Sequence, residues 1–266
     1  MKNSTLYGLI LAAISVGVGM VLKGAPLSAL ANIPALLIIF GGTISVLLIS
    51  YPFSELKKIP VLIKIIFVEP KLMSKKQVIQ LFTEWATITR REGLLALENQ
   101  VEEIDDEFLK NGMRMIIDGN DHDFVRDVLL EDISVMEERH RNNAAIFTSA
   151  GSAAPTLGVL GAVVGLVAAL GHFDDVESLG TSIAAAFIAT LFGIFSGYVL
   201  WHPIATKLKQ ISKKEVELKM MIVEGLLSIQ SGVSTLAIQQ KLAVFLTPAE
   251  RREDEEEGNN AQEENE

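Results

Sequence analysis

Few side chains in the apolar stretches of this 266-residue chain could take part in chemistry. Thr190 carries a hydroxyl that could relay or bind an ion, or simply bond a carbonyl of its own helix. Asp, Glu, Lys, Arg and His are absent from the interiors of these stretches, and His172 and His202 stand at their ends. Buried ionisable groups usually mark ion paths through membranes. Two interpretations follow: the chain moves no ions, or it lines a path whose titrating group belongs to another subunit.

Four of these stretches are long enough to cross a bilayer, which takes about 20 mainly apolar residues. They are residues 5–22, 33–51, 148–170 and 179–201. The two long polar segments that follow the second and fourth stretches are rich in Lys, whereas the short loops hold one basic residue, Lys23. The positive-inside rule therefore predicts a multi-pass membrane protein with both termini in the cytoplasm.

The polar segments show apolar residues at helical spacing, with Gly93, Gly112 and Gly119 as expected breaks, and the segment before the third span has few breakers and is expected to run straight into it. The predicted fold class is all-α, a polytopic membrane protein with four transmembrane helices and a cytoplasmic helical bundle. "SELKKIPVLIKIIF" is expected to lie along the membrane surface. The predicted division is 1–51 for transmembrane helices 1 and 2, 52–145 for the first cytoplasmic part, 146–203 for transmembrane helices 3 and 4, 204–247 for the second cytoplasmic part and 248–266 for an acidic disordered tail.

Small residues form a stripe along each of the last two spans. In the third span they recur in alternating steps of four and three, which places them on one helical face; they are Gly151, Pro155, Gly158, Ala162, Gly165 and Ala169. The fourth span has its own stripe, Ser182, Ala186, Ala189, Gly193 and Gly197. Small residues let membrane helices approach closely. The stripes favour two interpretations equally: the spans pack on each other, or they form a groove along which a partner helix moves.

Composition narrows the function classes. The formal net charge of −10 and the lack of a basic aromatic patch argue against a nucleic-acid partner. The absence of cysteine excludes disulfides and cysteine-based metal sites. No P-loop, GxGxxG or HExxH motif and no nucleophile–base pair occurs in the sequence. We therefore expect neither an enzyme nor a resident cofactor or metal.

Several blocks of the sequence resemble the MotA family, the stator subunits of the bacterial flagellar motor within the MotA/TolQ/ExbB proton channels. The most specific block is "AFIATLFGIFSGYVLWHP", residues 186–203. "SAAPTLGVLGAVVGL", "RREGLLALE" and "VEGLLSIQSG" also look like blocks of this family and occur in the expected order. The likeness extends from the first span to about residue 246 and omits only the acidic tail.

The resemblance implies a function and a set of partners. MotA-like subunits form a ring, a pentamer, in the bacterial inner membrane around MotB, a single-span partner with an essential aspartate. Protons pass at the interface of the two proteins, and the cytoplasmic part of MotA-like subunits pushes on the rotor protein FliG. Protons would thus be the coupling ion, and the missing carboxylate would belong to the partner.

The resemblance also assigns residues, position by position. Pro155 and Pro203 match the two prolines associated with coupling ion flow to shape change. Thr190 matches the threonine near the partner's aspartate. Arg90 and Glu98 match the charged pair that contacts the rotor, although the pattern alone is typical of an exposed helix face.

Ala162 bears on the identity of the ion. Related sodium-driven stators resemble this chain but carry a threonine where Ala162 stands in "GAVVGL". A sodium ion that sheds its water needs about six oxygen ligands, as other hard cations do. The missing hydroxyl therefore predicts proton coupling.

Two other transport functions are open alternatives. An ExbB/TolQ-like proton-driven subunit would also form a ring, but those proteins have three spans and lack the block at 186–203. A secondary transporter would need paired broken helices with polar groups at mid-membrane, and the sequence shows neither.

Overall fold

The computed structural model describes residues 4–171 and 175–252. Within those residues the fold is all-helical, without a β-strand. The helices are α1 Ser4–Leu22, α2 at 33–50, α3 Phe53–Leu56, α4 Ile59–Phe67, α5 Lys75–Glu92, α6 Glu98–Glu102, α7 Glu107–Ile117, α8 His122–Leu170, α9 Val176–Phe195, α10 His202–Gln230 and α11 Thr235–Ala243. Short 3₁₀ turns occur at Leu27–Leu30 and Leu94–Leu97.

The chain divides into two compact units. The first comprises Met1–Pro70 and Arg139–Ile211, and the second comprises Lys71–Glu138 and Ser212–Glu266. Among the described residues, four helices are long and apolar enough to cross a membrane, and their apolar stretches lie in the first unit. The predicted continuous run into the third span is confirmed, because α8 extends over 49 residues.

The second span begins with a well-capped turn. The side-chain oxygen of Asn32 accepts a hydrogen bond from the Ala35 N–H at 3.1 Å, and Pro34 occupies the first turn, where its missing N–H costs nothing. The Asn32 amide also donates to the carbonyl of Ala185 in α9 at 3.3 Å. This bond connects the start of α2 to the fourth span. Further along, α2 passes through a π-helical turn at Leu37–Gly41.

The segment predicted to lie along the membrane surface packs in the first unit. It forms α3 and α4, and Leu62 and Ile66 of α4 are buried in a cluster with Phe147 of α8 and Ile204 of α10. Its apolar face therefore has protein partners, which the amphipathic pattern alone could not reveal.

The second unit has a core of large side chains. Phe82 and Trp85 of α5 are fully buried and meet edge to face, with ring centroids 5.6 Å apart. The break predicted at Gly112 is wrong: this glycine lies inside α7, where the side chain of Leu226 from α10 packs against it. Its missing side chain serves close packing, whereas Gly93 and Gly119 end helices with positive φ angles of 86° and 81°.

The predicted disordered tail begins too early in the sequence. Residues 248–252 form a helical turn, because Thr247 and Glu250 cap it reciprocally. The Thr247 N–H donates to the Glu250 carboxylate at 2.7 Å, and the Thr247 hydroxyl accepts from the Glu250 N–H at 3.3 Å. The rest of the predicted tail, 253–266, and His172 lie outside the described residues.

Candidate functional site

The third and fourth spans touch through bare backbone. A Cβ atom added to Gly158 of α8 would lie 2.8 Å from the Cα of Gly193 in α9. A Cβ added to Gly193 would lie 2.7 Å from the Cα of Gly158 and 2.8 Å from the carbonyl oxygen of Ala154. Carbon atoms in contact normally stay about 3.5–4.0 Å apart. Only glycine at both positions permits this approach of the two helices.

This contact decides between the two interpretations of the small-residue stripes. One turn further toward the C-terminus of α8, a Cβ on Gly161 would lie 3.1 Å from the Cβ of Ala189. One more turn along α8, a Cβ on Gly165 would lie 3.1 Å from the Cβ of Ala186. The stripes are therefore packed against each other within one chain. The interpretation of the third-span stripe as an open track for a partner helix is wrong.

Pro155 lies at the end of the same contact that is nearer to the N-terminus of α8. Because proline has no N–H, the carbonyl of Gly151 loses its helical donor. A Cβ on Gly197 of α9 would come within 2.6 Å of the Pro155 ring and 2.7 Å of the Gly151 oxygen. The proline ring and the released carbonyl thus face a glycine on the neighbouring span. Any bending of α8 at Pro155 must act on α9 at this point.

Pro203 is accommodated by a change of helix type. The π-helical turn Ser196–Trp201 precedes it, and the His202 N–H donates to the carbonyl of Gly197, five residues back. A π-helical turn widens the helix where a proline would otherwise clash with the carbonyl four residues earlier. Pro203 itself is exposed.

Thr190 and Ala162 occupy the same level of the two helices. Each directly follows a member of the Gly161–Ala189 contact, and both are half-buried. The Thr190 hydroxyl donates to the carbonyl of Ala186 at 3.4 Å, which is long for a bond of this kind. The hydroxyl oxygen also keeps acceptor capacity.

Arg90 and Glu98 belong to the second unit, on either side of a sharp turn. Arg90 lies in the last turn of α5 and Glu98 begins α6. Gly93 between them adopts a φ of 86°, and its N–H donates to the carbonyl of Thr89 at 2.9 Å. Both charged side chains are exposed. The adjacent Leu97 is fully buried, which fixes the turn to the core.

Sequence reasoning missed the neighbours of the first proline. Gly151 and His202 are in contact: a Cβ on Gly151 would lie 2.9 Å from three atoms of the imidazole ring. The sequence did contain one signal: Gly151 precedes Pro155 by four residues, so the Gly151 carbonyl is the one that lacks a helical hydrogen bond. Nothing in the sequence indicated the π-helical turn that orients His202. No group of three or more potential metal ligands occurs among the described residues.

The chain is similar to proteins of known family. Residues 100–221 match the MotA/TolQ/ExbB proton channel family. Motility protein A of Bacillus subtilis is 52% identical over 97% of this chain and 96% of that protein. The fold matches the flagellar MotAB stator complex from Bacillus subtilis with a TM-score of 0.90 and 52% identity, covering 94% of this chain and 98% of that one. It also matches the C. jejuni MotAB structure with a TM-score of 0.88 and 31% identity, covering 93% and 97% of the two chains.

The four apolar helices and the glycine-mediated contact define a helical multi-pass subunit of the inner membrane, and the chain belongs to the MotA/TolQ/ExbB proton channel family. Its function is that of a stator subunit of the flagellar motor.

Proposed function

We propose that this stator subunit assembles as a homopentamer around a MotB-like single-span partner, whose aspartate binds the proton. Both of the similar solved structures are of MotAB. The observation that carries the proposal is the lack of Asp, Glu, Lys, Arg and His in the span interiors of a member of a proton channel family. The partner must then supply the proton-binding group.

The proton cycle works by switching a charge on and off inside the membrane. A charged carboxylate there is costly, by about 2.5–3.5 kcal/mol or more, and protonation removes that cost. A transmembrane potential supplies about 2.3 kcal/mol per charge per 100 mV. Alternation of the partner's charge would therefore bias a step of the ring. Because the small-residue stripes are packed against each other, the step involves the α8–α9 pair moving as one body and bending at Pro155.

Proton coupling, rather than sodium coupling, follows from the oxygen supply at the level of Thr190. The hydroxyl of Thr190 and the carbonyls near it offer few ligands, and Ala162 offers none at its side chain. A proton needs only the partner's carboxylate and a short relay of water or hydroxyl groups. Thr190 is the hydroxyl in the position to serve that relay.

Pro155→Ala tests the bending step. Alanine restores the N–H that bonds the Gly151 carbonyl and removes the ring that packs on Gly197, so we expect normal membrane amounts but loss of rotation. Pro34→Ala is the matched control, because Pro34 lies in the first turn of a helix, where no bond is lost. Motility assays in a host without its own stator give the measurement. Normal swimming by Pro155→Ala would contradict the coupling role.

We propose that Arg90 and Glu98 contact the rotor protein FliG. We also propose that both termini of the chain lie in the cytoplasm. Their exposure on a turn held by Leu97 supports a contact that pushes on a partner. Arg90→Glu should reduce swimming, and a compensating charge reversal on FliG should restore part of it. A defect that no rotor charge change alters would count against an electrostatic contact.

A further inference from the structure

The His202 imidazole ring lies at the junction of the two proline-bearing spans. It fills the space left by the missing side chain of Gly151, since an added Cβ there would lie 2.9 Å from its Cγ, Cδ2 and Nε2 atoms. The Tyr198 ring packs beside it with a centroid distance of 5.4 Å. The His202 side chain is only half-buried. Its ring is therefore held by packing on Gly151 and Tyr198, while part of the side chain stays uncovered by the chain itself.

The surroundings of His202 are unusually rich in proton acceptors for a membrane helix. Pro155 leaves the Gly151 carbonyl without its helical donor, and that oxygen belongs to the residue on which the imidazole packs. The Tyr198 hydroxyl stands on the adjacent helical turn of the fourth span. A neutral imidazole can accept a proton at one nitrogen while it donates from the other.

Hydroxyl groups also occur along α8 close to Gly151, on the face beside the one that packs on α9. Thr156 donates to the carbonyl of Ser152 at 3.2 Å, and Ser152 donates to the carbonyl of Thr148 at 3.1 Å. Successive hydroxyls four residues apart are separated by about 6 Å along the helix, a gap that one water molecule spans. Ser152 and Thr156 are exposed on a face where the next turns carry Val159 and Val163. Hydroxyls thus occur only on the half of this face that is nearer to His202.

We propose that His202 receives the proton after it leaves the partner's carboxyl group and passes it to the cytoplasm, with Ser152 and Thr156 as the relay. This role rests on the proposed function. The proton moves from the carboxylic acid through water and hydroxyl groups to the lone pair of the imidazole, and the imidazolium releases its own proton to cytoplasmic water. One proton crosses in each cycle, the carboxylate and neutral imidazole are restored, and no electron is transferred. Imidazole side chains commonly act as proton shuttles in proteins, because one ring nitrogen can accept a proton while the other donates one.

Two variants at position 202 separate proton transfer from packing. His202→Phe keeps a flat ring on Gly151 and beside Tyr198 but cannot carry a proton, whereas His202→Gln loses both the ring and the proton-carrying nitrogens. The intact complex with the partner is expressed in a host without its own stator, and rotation is recorded at low and at high load. His122→Gln is the matched control, because His122 lies in the second unit, with its side chain 45% exposed.

We expect both position-202 variants to rotate about two- to tenfold more slowly at low load, where proton transfer limits the speed. At high load, where mechanical work limits the speed, they should match the wild type, as should the amount of complex in the membrane. Replacing H₂O with D₂O should slow both variants more than the wild type. His122→Gln should behave as wild type throughout.

The outcomes distinguish this inference from the proposed function. If His202→Phe rotates at the wild-type speed at low load, the ring acts only by packing, and the relay role is overturned. An unchanged isotope effect in both variants would also overturn it. If the wild-type chain with its partner gives no proton-dependent rotation, the proposed function itself has failed.

Discussion

The α8–α9 contact and the core of the second unit are both well packed, yet they are built from opposite materials. The contact between the spans is lined by Gly158, Gly193 and their small neighbours, whereas the second unit buries Phe82, Trp85 and Leu109 completely. In lipid there is little hydrophobic drive between helices, so association depends on close fit. In water, burial of large apolar side chains supplies the stability. The contact between the spans and the core of the second unit are thus each built from side chains that suit their surroundings.

The two regions also differ in the motion that their packing allows. Backbone-to-backbone contact at Gly158 and Gly193 leaves no side chain that can adapt, so α8 and α9 must move as a pair. The second unit presents Arg90 and Glu98 on a turn fixed by Leu97. The proposed bending step depends on the first of these features, and the proposed rotor contact depends on the second.

The largest stability effect is expected in the core of the second unit. Trp85→Ala removes a fully buried indole and should lower the free energy of unfolding by about 3–5 kcal/mol. Leu236→Ala, at a side chain that is 65% exposed, is the control and should change it by less than about 0.5 kcal/mol. Thermal unfolding of the detergent-solubilised chain measures both. Equal shifts in the two variants would refute the contrast between a side-chain core and a solvated surface.

The next effect concerns the contact between the spans. Gly193→Ala adds a methyl group that meets the Cα of Gly158 and the carbonyl of Ala154, and neither backbone atom can yield. We expect a loss of about 1–3 kcal/mol from overpacking, together with loss of motility. Gly180→Ala in the same helix is the matched control, since nothing lies within 4 Å of its added Cβ. Its helix should be kept or slightly stabilised. A Gly193→Ala protein as stable and motile as Gly180→Ala would show that the close approach is unimportant.

The smallest effect is electrostatic and lies on the surface of the second unit. Hydrogen bonds from Arg114 and Lys110 lower the pKa of the Glu102 carboxyl. A lowered pKa in the folded state adds stability above the ordinary glutamate value of about 4.3, and this stability is lost as the pH falls through the lowered pKa. Glu102→Gln should therefore lower the melting temperature slightly at neutral pH and leave it unchanged below the lowered pKa, so that the decline on acidification becomes flatter. A decline identical to that of the wild type would show that Glu102 does not contribute to the loss of stability at low pH.

The sequence predicts the helices well and their partners poorly. Span limits, the continuity of α8 and the single-face periodicity of the Gly151–Ala169 stripe depend on local spacing, which the chain itself determines. Whether that stripe faces lipid, a partner or α9 depends on tertiary packing, which spacing does not encode. The same limit explains Gly112, where a predicted break proved to be a close contact with Leu226.

For the candidate site, too, the sequence indicated the residues but not their contacts. Pro155, Thr190 and Pro203 were found through family resemblance, and their placement at the α8–α9 contact and the π-helical turn came from the structure. The His202–Gly151 contact was not predicted, because the π-helical turn at Ser196–Trp201 changes the face on which His202 lies. A helix with ordinary periodicity would place that ring elsewhere.

The most direct measurement is proton flux into liposomes that contain the purified chain, first alone and then together with a single-span, aspartate-bearing partner. We expect no flux above that of empty liposomes for the chain alone, because its described span interiors hold no Asp, Glu, Lys, Arg or His. Addition of the partner should produce flux, and replacement of the partner's aspartate by asparagine should abolish it. Strong proton flux from the chain alone would contradict the idea that the partner supplies the proton-binding carboxyl group.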